Sequence, residues 1–258
     1  QHAALAGLVG DIAIPKQTGG GTAYWVTESG APTESEQMVD QIKMAPKTVG
    51  AYTDISRKLL IQSSIDVESF VQLDLATTLG LAIQGASITG GGANEPKGVL
   101  AIPGIGNIIG GANGAAPTWK NIVALETAVS VANANVGTLA YLTNSKVRGA
   151  LKCTERFAGS SGMPVWSDGN TPLNGYAAAV TNAVPSNLDK GTAADVCSAI
   201  LFGNWADLII GLWGGLDLTV DPYTHSTSGA VRVVTLQDVD VGVRHSESFA
   251  AMKDALTD

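Results

Sequence analysis

A chain of 258 residues can bury one large core or two small ones, and a hydrophobic share of 45% excludes an intrinsically disordered polypeptide. Only 15% of residues are charged, below the quarter or so usual in soluble domains, and burial against further copies of the chain explains that shortage as well as an apolar enzyme core does. The 23 acidic and 15 basic residues give a formal charge of −8 with no Lys/Arg cluster along the chain, which argues against sequence-specific binding to nucleic-acid phosphates.

In chain order, residues 1–15 carry short apolar pieces (Leu5, Leu8, Val9, Ile12, Ile14) before Pro15 and read as an extended arm. From Lys16 to about Lys47 a glycine-rich start, Tyr24-Trp25-Val26-Thr27, a polar stretch Glu28 to Glu36, and then Val39, Ile42 and Met44 predict two strands joined by a long polar tip. Such a ribbon is marginal alone, so Tyr24, Trp25, Val26 and Ile42 are expected to contact another subunit. Residues 48–61 predict a strand followed by a helical turn, broken by Ser63 and Ser64.

After Asp66, a candidate N-cap, apolar or small residues recur at Val67, Phe70, Val71, Leu75, Leu79, Ala82, Ile83 and Ala86, the spacing of one helical face. The predicted helix, Asp66 to Thr89, is a rod of roughly 33 Å at 1.5 Å per residue. Its Phe70, Val71, Leu75 and Ile83 are expected to pack on the strand around Val231 to Val243. The following GGGANEPKG lacks the Ser or Thr and the preceding strand of a phosphate loop, and reads as a turn into a strand-like Val99 to Ile102.

A second helix is expected at Trp119 to Asn133, capped by Thr118, then a strand at Thr138 to Thr143, a helix from Asn144 to about Cys153 and a loop from Ala158 to Pro164. Strands follow at Tyr176 to Thr181 and Ser198 to Gly203, with Trp205 to Ile210 as a short helix or a continuation. Leu216 to Val220 is strand-like, and Val231, Val233, Thr235, Val239, Val241 and Val243 alternate with period two through a long strand, Val231 to Arg244.

Candidate chemistry is sparse. Cys153 and Cys197 have neither CxxC nor nearby His spacing, so neither a disulfide framework nor a zinc site is expected. His2, His225 and His245 lie in the arm, in a polar turn and at a strand end, away from any nucleophile. Asp238 and Asp240 share one side of a strand, but two carboxylates make a poor cation site, and a solvated or intersubunit face is the better reading. No catalytic, cofactor or metal residue is assigned, and no apolar run reaches the 18 to 20 or so residues of a membrane span.

The segment Ala51 to Ala101, a strand leading to a long helix and then to Glu95-Pro96-Lys97-Gly98-Val99-Leu100, resembles the tailed-bacteriophage major capsid family with the Hong Kong 97 fold. Tyr141-Leu142-Thr143-Asn144, Trp205 to Ile210 and Val231 to His245 resemble the family's axial domain and its closing elements. The resemblance implies an α+β subunit with an arm (1–15), an extended hairpin (16–50), a peripheral domain (51–115) with a spine helix at 66–89, an axial domain (116–220) and a returning strand with the C-terminal end (221–258). It implies self-assembly into hexamers and pentamers of an icosahedral shell around double-stranded DNA, no enzymatic activity, and portal and decoration proteins as partners. Assembly would take place in the host cytoplasm and the product would be the virion. Gln1 in place of methionine fits members trimmed of an N-terminal scaffolding segment. An encapsulin-type compartment and an α/β enzyme are the alternatives.

Overall fold

The computed structural model describes residues 3–23, 25–28, 30–31, 34–62, 67–157, 159 and 162–257. The N-terminal elements are β1 (Ala3–Leu8), β2 (Ile12–Gly19), β3 (Met38–Met44), β4 (Lys47–Ile55), α1 (Arg57–Gln62) and α2 (Val67–Thr89). The middle of the chain forms β5 (Gly106–Ile108), α3 (Trp119–Val131), β6 (Leu139–Thr143), α4 (Ser145–Cys153), β7 (Ala177–Val180), β8 (Leu188–Lys190) and β9 (Ala193–Asn204). The chain then runs through β10 (Leu208–Asp221), β11 (Val231–Val243) and β12 (Phe249–Leu256).

These strands make two main sheets and a ribbon. One sheet has the order β1-β10-β11-β4, the other β5-β12-β9-β6-β7 with β8 beside β9, and β2 pairs only with β3. Strand β9 ends as an unbroken buried run from Cys197 to Asn204, because α3 and α4 cover one face through Ile122, Leu125, Val129, Val147 and Leu151. Ile88, Val99 and Leu100 close the other face over Ala199, Leu201 and Phe249. Thr118 and Asn121 form the capping box that starts α3. Asn144 starts α4 by accepting from the Val147 amide at 2.9 Å.

Several expectations change. The first hairpin strand is β2, Ile12–Gly19, and not Trp25-Val26-Thr27, while Ala3–Leu8 of the arm is a strand parallel to β10. Strand β1 is short and rich in Ala and Gly and is fixed by the distant strand β10, whereas β2 is broken in pattern by Pro15 and is fixed by β3 across the hairpin. Val99–Ala101 is a single 3-10 turn where a strand was expected. The turn before it is closed by the Glu95 carboxylate, which accepts from the Gly91 amide at 2.7 Å. Strand β10 joins the four-stranded sheet as far back as Leu208, and Phe249–Leu256 returns to the six-stranded sheet. The expected helix cap Asp66 and the break at Ser63 and Ser64 lie outside the described residues, as do Ala158 and His2.

Candidate functional site

Strand alternation gives the four-stranded sheet two distinct faces. The odd-numbered residues of β11 face α2, where Leu75 and Val71 meet Val233, Ile55, Ala51 and Leu218. Ile83 is half-buried and shares a cleft with Val239. Phe70 departs from the expected packing, being 67% exposed. At 100° per residue it falls on the opposite side of the rod from Leu75 and Leu79, in an outward stripe with Leu73 and Leu81. The 3.6-residue pattern thus has apolar positions on two faces, only one of which meets this chain's own sheet.

The even-numbered face carries the base of the hairpin. Ile42 is half-buried there beside Met44, Ile12 and Ile14 over Ile209 and Trp213. Trp25 is fully exposed and Val26 half exposed, whereas Tyr24 lies outside the described residues. Leu5, Val9, Met38 and Val39 add further exposed apolar surface to the arm and hairpin.

Asp238 and Asp240, weighed above as a cation pair, are taken up by this chain. Asp240 is buried and accepts from Lys47 Nζ at 2.7 Å and from the Ala45 amide at 3.0 Å. Asp238 accepts from the Thr48 hydroxyl. Lys47 and Ala45 flank the turn into β4, so the carboxylate found by periodicity fixes a chain reversal. Sequence reasoning missed this because the donors lie about 195 positions away in the chain. His225 is within 3.1 Å of Asp54, which also takes two hydrogen bonds from Arg232. Those bonds, above all the one from Arg232, hold the Asp54 carboxyl below the usual range. Among the described residues no group of three metal-ligating side chains converges, and no helix is long and apolar enough to cross a membrane.

A two-sheet subunit with a long helix across one face and an outreaching hairpin on the other defines a Hong Kong 97-type shell fold. It superposes on the capsid of a native GTA particle with a TM-score of 0.79, over 98% of this chain and 88% of that one, at 20% identity. The SrpI encapsulin of Synechococcus elongatus shares the fold at a TM-score of 0.69, over 99% of this chain and 86% of that one, at 11% identity. Residues 4–254 match the phage capsid family, and the chain belongs to it. The major capsid protein of Halomonas phage phiHAP-1 is 33% identical over 253 residues, which are 98% of this chain and 39% of that relative. The chain therefore spans about two-fifths of the length of that relative.

Proposed function

We propose that this chain is a head-shell subunit that assembles, through hexamers and pentamers, into a closed icosahedral particle around double-stranded DNA. The observation that carries the reading is the apolar surface left bare on the hairpin and α2, with Trp25 fully exposed and Phe70, Leu73 and Leu81 in one outward stripe. Monomeric proteins seldom leave such surface open, and repeated copies of the chain would cover it. In this reading the tip at 20–37 lies across a neighbouring subunit, the role of the chain is structural and not catalytic, and portal and decoration proteins attach to the finished lattice. Electron microscopy of the purified chain tests it: closed particles are expected, and a chain that stays monomeric over a range of salt and concentration would refute it. The shared fold with an encapsulin favours a protein-filled compartment as second reading, and DNA or protein inside particles isolated from the natural host separates the two.

A further inference from the structure

Two glycines face each other's neighbours on the even face of the four-stranded sheet. Gly211 pairs with Asp240 and Gly242 with Ile209, so both lie where the hairpin base crosses the sheet. A Cβ at Gly211 would stand 3.0 Å from both Leu8 Cδ1 and Met44 Cε and 3.1 Å from Trp213 Cζ3. One at Gly242 would stand 3.0 Å from Ile42 Cγ2 and 3.3 Å from Met44 Sδ. The missing side chains open a notch, and Met44, fully buried, fills it. The two chain segments entering and leaving the hairpin are tied down beside it. Trp213 Nε1 donates to the Gly10 carbonyl at 2.7 Å, and Asp240 holds Ala45 and Lys47.

We propose that this socket, Gly211 and Gly242 filled by Met44 and flanked by Trp213 and Asp240, aims the hairpin before any neighbour is present. These are positioning residues: they act through the hairpin base of their own subunit, and they set the angle at which the tip meets the next one. The proposal deepens the shell reading and rests on it. Its physical basis is that a fully buried side chain in a fitted notch, with hydrogen bonds at both ends of the ribbon, restricts rotation of the whole hairpin. The base is therefore ordered in the free subunit.

The test uses Gly211→Val and Gly242→Val together, since β-branched residues suit the strands while their methyl groups block the notch. Hydrogen exchange on free subunits should show slow amides at 12–14 and 42–44 in the wild type. In the variant the same amides should exchange at least about tenfold faster, with β10 and β11 still protected. Met44→Ala added to the variant should restore part of the protection by making room. Trp213→Phe, which keeps an aromatic ring but removes the indole N–H and its bond to Gly10, should speed exchange at 12–14 most. Particle images should show the double variant yielding irregular or open assemblies. Wild-type base amides that exchange as fast as those of the tip would overturn the proposal, as would a double variant with native protection and uniform closed shells. A wild-type chain that forms no shells bears on the shell reading alone, because exchange is read on free subunits.

Discussion

Leu75 and Phe70 stand five positions apart on one helix and should respond to truncation in opposite ways. Leu75 is buried against Ile55 and Val233, so Leu75→Ala removes packing and leaves a cavity, with an expected loss of about 2–5 kcal/mol in urea unfolding of the free subunit. Phe70 is mostly exposed, and Phe70→Ala should change that stability by less than about 0.5 kcal/mol. If its stripe is an intersubunit surface, the same variant should still reduce particle yield. Equal stability losses at the two positions would contradict the assignment of faces. Titration supplies a second test at this scale. The Arg232 hydrogen bonds lower the folded-state pKa of Asp54 below its unfolded value of about 3.9. Its contribution to stability is therefore full above that value and is lost as pH falls through the lower folded one. Arg232→Gln should make the drop in melting temperature between about pH 5 and pH 2 smaller than in the wild type, and an unchanged drop would show that the pair carries no linkage.

Among the elements, α4 depends on one buried residue for two contacts. Asn144 accepts from the Val147 amide and donates from Nδ2 to the Pro185 carbonyl at 3.1 Å, which joins the helix start to the loop after β7. Asn144→Ala loses a cap worth about 1 kcal/mol and one of the two donors to the Pro185 carbonyl, which keeps the Ala199 amide at 3.1 Å, for a total of about 1–2 kcal/mol. Asn144→Ser keeps a cap acceptor but not the donor, so thermal melting should place it between the wild type and Asn144→Ala, and a ranking with Ser below Ala would argue against the cap. Helices α3 and α4 were legible in the sequence because their start signals, Thr118 and Asn144, and their apolar spacing are local, within four residues, and α2 was legible from its apolar spacing. Strand β11 was legible for the same reason, because β-branched residues recur with period two at Val231, Val233 and Thr235 and again at Val239, Val241 and Val243, on either side of Gln237. Strands β1 and β5, with compositions such as Ala-Ala-Leu-Ala-Gly-Leu and Gly-Asn-Ile, carry no period of their own. They exist because β10 and β12 present an open edge. The hairpin base was hidden for a related reason: two glycines mark a notch only once Met44 is known to lie over them.

At the scale of the whole particle, the shell reading predicts subunits held by noncovalent contacts. Some members of the family resembled here join neighbours by an isopeptide bond between a hairpin lysine and an asparagine near the chain end. Such a bond needs an amine on the hairpin within reach of a side-chain amide. The tip at 20–37 has no lysine, and its ionisable side chains are the carboxylates Glu28, Glu34 and Glu36 and the phenol of Tyr24. Lys16 is in β2, 3.5 Å from Asp40 of the opposing strand, and Lys43 is on β3 next to the buried Met44, so both sit on the stem of the hairpin. On the acceptor side, no asparagine follows Asn204 in these 258 residues. The amide of Gln237 is occupied, donating to the carbonyls of Trp213 and Asp238 at 3.3 and 3.1 Å. Shell cohesion would then come from repetition: an interface of ordinary size, roughly 1,200–2,000 Å², recurs around every subunit, and the loss of one contact is opposed by the others. Particles boiled in detergent and reductant should give a single band near 26.3 kDa on a denaturing gel. A ladder of multimers would establish a covalent link formed by other groups, and mass spectrometry of its rungs would identify them.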